Sequence, residues 1–297
     1  MRFDLIDLRL VLNVADAGNI TRGAALSGLA LASASERIRD MERELGAPLF
    51  ERQRRGVTPT AAGAALVEHA RLVTQQLEHM RGELDQFAKG LRGRIRLLSN
   101  TAATLEFLPP LIGRFLVDHH NVDVDVEERT SPEIVRTIAG GRADIGIVAD
   151  VVDAASELET FPFADDRLVL VVPRRHPLGR RRQIAFADAL GHDFVGLPAS
   201  SALQAHLDGH GARLGRRPRL RVRLPGFDAV CRVVESGIGI AVVSKVAADR
   251  CRRTMAIRAV PLVDPWARRR LRLCVKAERA LPAHGRALLD HLRRSSA

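Results

Sequence analysis

Two sets of side chains in this sequence have the types and spacing to do chemistry. Leu31, Ala32, Ser33, Ser35, Glu36 and Arg39 share one face of a helical register, and the basic run Arg52-Gln53-Arg54-Arg55-Gly56 follows a short way downstream. Small side chains at the start of a helix let it sink into a DNA major groove, about 12 Å wide, where hydroxyls and a guanidinium reach base edges. Arginines on a neighbouring hairpin would touch phosphates or the minor groove. The second set is Asn100, Thr101 and Thr104, then Thr130 and Ser131, then Ser200 and Ser201, each group just ahead of a helical pattern. Hydroxyls beside the free N–H groups of helix starts suit a small anion such as a carboxylate. Capping the helix is the commoner role of Ser and Thr there.

The elements that position the first set are short helices. Leu5, Leu8, Leu12 and Ala15 recur at helical spacing, and Gly18 supplies the stop. A second helix runs through Thr21, Ala24, Ala25 and Leu26, Ser27-Gly28-Leu29 makes a tight turn, and a third helix spans about Ala30 to Leu45 with Ala34, Ile38, Met41 and Leu45 inward. Two short helices joined by a glycine-containing turn form a helix-turn-helix, and the basic run falls where a β-wing would follow. From Thr60 to Leu91 the apolar positions Leu66, Ala70, Val73, Leu77, Met80, Leu84, Phe87 and Leu91 alternate by four and three, which is a heptad seam. A helix of that length spans about 45 Å, and so narrow a stripe is buried against another helix. The partner is a second copy of the chain or, as the plainer alternative, the helix's own domain.

The second set sits on a different framework. After Gly93 strands and helices alternate: Arg94–Leu98, a helix from Leu108 to Val117, Val122–Val126, a helix capped at Ser131-Pro132-Glu133, and a buried strand Asp144–Val148. Leu168–Val172 opens a second group, with strands at Phe194–Leu197, Leu220–Leu224 and Ile238–Val243, helices from Ser201 and Asp228, and a return through Arg270–Val275 to a final helix near Leu288. This is the pattern of α/β sheets with helices on both faces, in two lobes joined by two crossings around a cleft. Ligands of such sheets lie at the carboxyl ends of strands, which adds Ile147 and Val148 to the candidate cleft and lets Phe227, beside Gly226, wall it.

Composition excludes several classes. The 297 residues are 46% hydrophobic and 27% charged, ordinary for a globular protein, with no run of about 18 apolar residues and no signal peptide at the N-terminus. The expectation is therefore a cytoplasmic protein without membrane contact. The net charge is +11, yet it divides as +1 over residues 1–57, −6 over 58–164 and +16 over 165–297, so the basic excess does not mark the head. Cys231, Cys251 and Cys274 have neither zinc nor disulfide spacing. Cys251, between Arg250 and Arg252-Arg253, leaves open a redox-sensing thiol. His206 and His210 stand four apart without a third ligand nearby, which favours a surface pair over zinc. No G-x-S-x-G, P-loop or H-E-x-x-H pattern occurs, and Gly237-Ile238-Gly239-Ile240-Ala241 lacks the third glycine of a dinucleotide site. No catalytic residue, metal or cofactor is expected.

The chain resembles the LysR-type transcriptional regulators. Asp7-Leu8-Arg9, the stretch Ala15 to Thr21, Arg39-Asp40-Met41-Glu42, the stretch Glu44 to Arg52 and Thr58 to Gly63 are similar to that family's winged helix-turn-helix. Gly141 to Ile147, Leu168 to Pro173, His176-Pro177 and Val234 to Ile240 are similar to its effector-binding domain. Where the family often has Ser-Gln-Pro this chain has Ala30-Leu31-Ala32, so Leu31 or Ala32 is expected against thymine methyls. The resemblance implies an all-α winged helix-turn-helix over residues 1–59, a linker and dimerisation helix over 60–91, and an α/β body over 92–297 like a type 2 periplasmic binding protein. Its lobe I is 92–165 with 265–297, and its lobe II is 166–264. It also implies a homodimer, doubled to a tetramer, on double-stranded DNA. Thr21, Leu31, Ala32, Ser33, Ser35, Glu36, Arg39, Arg52, Arg54 and Arg55 would meet the DNA. A small carboxylate effector would lie between the lobes, and RNA polymerase is a further partner open to such a protein. The competing readings are a solute-binding protein of a transport system, an enzyme built on the two-lobed fold, and a redox regulator using Cys251.

Overall fold

The computed structural model describes residues 3–53, 56–89, 91–149 and 158–294. It divides into two compact units, Met1–Ala88 and Lys89–Ala297.

In the first unit α1 (Leu5–Ala17), α2 (Ile20–Leu26) and α3 (Leu31–Leu45) enclose Leu10, Val11, Val14, Ala24, Ala34, Ile38 and Met41. Their ends follow local chemistry. The Asp4 carboxylate accepts from the Ile6 and Asp7 amides, and Gly18 and Gly46 close α1 and α3 in the left-handed region that glycine tolerates. Arg37 of α3 donates to Asp7 at 2.8 Å and to Asp4 at 3.2 Å, tying the third helix to the first turn of α1. The Asp7 amide, helped by Arg37, holds the Asp4 carboxyl below the usual carboxylate range. A hairpin of β1 (Phe50–Arg52) and β2 (Val57–Pro59) forms the wing, anchored where the Val57 amide donates to the Gly18 carbonyl at 2.9 Å.

The long α4 (Ala61–Lys89) does not use its seam uniformly. Val67 and Ala70 are buried and Leu66 packs on the head core, whereas Val73 and Met80 are 43% and 49% exposed. The first two turns therefore belong to the head and the middle turns leave their stripe open; the side chains of Leu84 and Phe87 lie outside the described residues.

The second unit is the two-lobed α/β body. β3 (Gly93–Ser99) runs parallel to β4 (Val122–Glu128) and β5 (Ile145–Ala149). α5 (Leu108–Asp118), entered through a π-helical turn at Ala103–Phe107, and α6 (Ser131–Ala139) pack on this sheet. Thr130 rather than Ser131 is the cap of α6: its hydroxyl donates to Glu133 at 2.6 Å, and the Glu133 carboxylate accepts the Thr130 amide. Both bonds, the hydroxyl first, hold the Glu133 carboxyl low.

Where the sequence suggests a new strand at Leu168, the structure has one continuous strand, β6 (Glu159–Pro173). Residues 159–162 and 164–167 pair with β11 (Arg268–Val275) in lobe I, around a register shift at Phe163, and from Leu168 onward the strand pairs with β9 (Ala241–Ser244) and β10 (Ile257–Pro261) in lobe II. Lobe II is completed by α7 (Phe186–Ala189), the parallel pair β7 (Asp193–Gly196) and β8 (Arg219–Arg223), α8 (Ala202–Arg213), α9 (Phe227–Glu235) and α10 (Lys245–Cys251). α11 (Ala283–Arg294) returns to the lobe I core through Leu288, Leu289 and Leu292. At the passage of β6 between lobes, Asp166 and Arg269 form a fully buried ion pair, and the Ser244 hydroxyl donates to the same carboxylate at 2.7 Å.

Candidate functional site

The head presents α3 as the sequence suggests. Leu31, Ala32, Ser33, Glu36 and Arg39 are exposed while Ala34, Ile38 and Met41 face the core, so one surface of the helix is free along its length. Ser35 is half-buried, and its carbonyl accepts from Arg39 at 3.2 Å. Thr21, near the start of α2, is exposed. Arg52 lies in the wing strand, but its side chain, with Arg54 and Arg55, falls outside the described residues. No side chain caps α3, so its first amides are open toward any phosphate in front of them.

In the body the candidate residues divide into those that meet and those that do not. Thr101 and Ser201 meet across the two lobes, with hydroxyl oxygens 3.0 Å apart, and both are buried. The Leu203 amide donates to the Thr101 hydroxyl oxygen at 2.9 Å, and Ser201 caps α8. The sequence reading missed the group that completes this cluster. The Glu128 carboxylate, at the end of β4, accepts the Thr101 hydroxyl at 2.5 Å and the Ala202 amide at 2.8 Å. Glu128 stands opposite Ser99 in the β3–β4 register, which puts it at the same strand edge as Asn100 and Thr101. The available signal was an acid at the carboxyl end of a strand; its partners lie 27 residues back and 74 residues on in the chain.

Asn100 is 3% exposed, accepts the Ala103 amide at 3.0 Å through Oδ1, and has no partner for Nδ2 among the described residues. Thr104 bonds Ser99 rather than the cluster. Thr130 and Ser131 serve α6 and β5, Ser131 accepting the Ala149 amide at 3.0 Å, and Ser200 is exposed. Three expectations need correction. Phe227 does not wall the cleft: at 1% exposure it joins Val230, Cys231 and Val234 on the apolar face of α9 in the lobe II core. Ile147 and Val148 are likewise core side chains, in the two cores flanking β5.

A second tie between lobes lies at Arg250 of α10, which donates to Glu106 at 2.8 Å and to Asp228 at 2.5 Å. Those carboxylates raise the guanidinium's already high pKa, Asp228 foremost, and Arg250 in turn lowers that of Asp228. This pairing overturns the reading of Cys251 as an activated thiol. The neighbouring arginine is spent on carboxylates, while burial, with Asp228 at 3.6 Å, pushes the Cys251 thiol up. Burial also raises Cys231 above its ordinary value and Cys274 to about 12.

His206 and His210 are not a surface pair. Their rings lie against Trp266, His210 stacked at 4.3 Å and His206 edge-on at 5.3 Å. Burial, with His210, Arg269 and Arg213 nearby, depresses His206 to about 3. Folded His206 therefore stays neutral where an unfolded histidine takes up a proton near its ordinary 6.5. The unfolded chain binds more protons between those values, so stability falls as pH drops through that window, by up to about 1.4 kcal/mol per pH unit from this group. His206→Leu is expected to remove that share from the acid side of a melting-temperature profile; an unchanged slope between pH 6 and about 4 would refute it.

A free helix face beside a wing, and a two-lobed body with polar groups converging between the lobes, define a DNA-binding protein that carries a ligand-binding module. The sequence matches the family described as LysR substrate binding domain over residues 88–297 and that described as bacterial regulatory helix-turn-helix protein, lysR family, over residues 5–64. The chain belongs to the LysR family of transcriptional regulators. It is 26% identical over 284 residues to a probable RuBisCO transcriptional regulator of Synechocystis sp., covering 93% of this chain and 82% of that one. It is 25% identical over 295 residues to the HTH-type transcriptional regulator YbhD of Escherichia coli, covering 98% and 92%. Among solved structures the fold is similar to full-length CbnR complexed with its target DNA, at 21% identity, TM-score 0.69 and coverage of 99% of this chain and 100% of that one. The effector-binding domain of QuiR in complex with shikimate matches at 18% identity and TM-score 0.52, covering 69% of this chain and 97% of that domain.

Proposed function

We propose that this regulator works as a homodimer, doubled to a tetramer on DNA, and answers a small carboxylate effector held between the lobes of its body. Two copies joined through α4 would set their α3 helices about one DNA turn apart, roughly 34 Å, on an inverted-repeat site. The open stripe at Val73 and Met80 supports that pairing. The protein acts by binding rather than catalysis, in the cytoplasm where its DNA lies, and its output passes to RNA polymerase. Residues 1–59, 60–91 and 92–297 carry reading, pairing and sensing respectively.

The observation that carries the effector's class is the cluster at the start of α8: its amide and the two buried hydroxyls fit a carboxylate, because the Glu128 carboxylate already lies there. For the DNA contact, affinity should fall steeply with salt as phosphates are neutralised, and Arg54→Ala should reduce the slope of log affinity against log salt by about one unit. Titration of an inverted-repeat duplex from the protein's own genome at several salt concentrations measures it. A salt-independent association, or no preference for that duplex over random competitor, would overturn the reading.

A further inference from the structure

We propose that Glu128 is a tethered competitor for the effector: the protein carries its own carboxylate in the seat between the lobes, and an external carboxylate binds by displacing it. This rests on the effector class proposed above and adds a residue that sets the threshold of response.

The geometry is that of a bound anion. α8 is 12 residues long and offers its first free amide, Ala202, to Glu128 at 2.8 Å, while the next, Leu203, meets the Thr101 hydroxyl oxygen at 2.9 Å. Thr101 donates its proton to the same Glu128 oxygen at 2.5 Å, with Ser201 at 3.0 Å behind it. In Asn100, the residue before Thr101, the buried Nδ2 lacks an acceptor among the described residues. Glu128 itself is half-buried at the rim, on a strand of lobe I, so its carboxylate reaches the lobe II helix from outside the core. A capping serine is already present in Ser201. That serine takes only the Gln204 amide, at 3.5 Å, which leaves the Ala202 amide to Glu128 or to an anion in its place.

A carboxylate held on a short tether competes at an effective concentration in the millimolar range. An external acid sees only the fraction of molecules in which Glu128 has swung out, and its apparent affinity falls by that fraction. The displacement is specific in a further way: Glu128 links the two lobes, so its release breaks one interlobe tie while those of Thr101 to Ser201 and Leu203, and of Arg250 to Glu106, stay in place.

The test uses the full chain, with sodium acetate, benzoate and succinate as probes, read by thermal shift and calorimetry. Wild type is expected to bind them weakly and Glu128→Ala at least about tenfold more tightly, with Glu128→Gln between, since the amide keeps an acceptor but loses the charge. Adding Thr101→Val to Glu128→Ala should abolish the gain. Amide exchange gives a second readout: Ala202 should exchange faster in Glu128→Ala than in wild type and be protected again by a saturating probe. If wild type and Glu128→Ala bind the acids equally, the competitor role fails while the carboxylate seat stands. If neither binds any of them, the seat fails as well.

Discussion

Asp166→Ala is expected to lower the melting temperature of the body by roughly 10 °C. Asp166 is 1% exposed and Arg269 4%, and Arg269 donates through both Nε, at 3.1 Å, and a terminal nitrogen, with Ser244 completing the carboxylate's partners. Removing the acid leaves a guanidinium buried without its counter-charge, which costs about 3–5 kcal/mol, and a body of this size shifts by about 2–4 °C for each kcal/mol. Replacing both members, Asp166→Leu with Arg269→Met, should recover most of the loss, because no stranded charge remains. Differential scanning calorimetry of the two variants decides the point. Equal losses in both, or a shift of under about 2 °C in the single variant, would show that the pair is not what holds this junction.

Gly63→Ala should have a comparable effect on the head. Gly63 lies in the first turn of α4, where an added Cβ would stand 1.9 Å from the Leu49 carbonyl oxygen and 2.9 Å from its carbon. Both obstacles are backbone, and the Leu49 oxygen is also fixed by the Thr60 amide at 3.0 Å. Relief requires α4 to move away from the head, taking Val67 and Ala70 out of the core they help to close. Overpacking costs about 1–3 kcal/mol, and more where, as here, the obstacle is backbone that cannot give way. Gly113→Ala is the control, since nothing lies within 4 Å of its Cβ position in an exposed stretch of α5, and there alanine should be neutral or slightly stabilising. The expected result is early unfolding of the head by circular dichroism and loss of DNA binding in Gly63→Ala alone; full DNA affinity in that variant would refute it.

The head was legible in the sequence because its signals are local. Gly18, Gly28 and Gly46 mark the helix ends, and each has a positive φ in the structure. The periodicity that pointed Ala34, Ile38 and Met41 inward leaves Leu31, Ala32, Ser33, Glu36 and Arg39 on the free face without further information. The body's alternation of strand and helix was equally plain, yet α10 and β10 carried no pattern strong enough to stand out, and of β6 only the stretch Leu168–Val172 read as a strand. Its lobe I half, Glu159–Arg167, is an irregular mix of charged and apolar residues that only pairing with β11 makes a strand. Ile238 to Val243 read as one strand, but Ile238 is 43% exposed and the antiparallel ladder begins at Ala241, because Gly239 packs close to the Asp193 carbonyl.

The errors share a cause: each depends on a neighbour far away in the chain. Nothing near His206 in sequence announces Trp266, and nothing near Cys251 announces that Arg250 pairs with Glu106 and Asp228. Thr101 and Ser201 were legible as hydroxyls at helix starts. That they bond one another, with Glu128 between strand and helix, is a product of how the two lobes come together.

The uninterrupted run of β6 through both lobes limits what sensing can look like in this protein. A clamshell swings freely when its halves are joined by loose chain, but here a ladder of backbone bonds continues through the joint, from β11 on one side of Arg167 to β9 and β10 on the other. Such a joint bends like a leaf spring and stores work as it flexes. A change at the cleft would then pass through the body as a small elastic tilt with a restoring force, and occupancy of the cleft would be reported in graded steps rather than by a latch thrown fully open or shut.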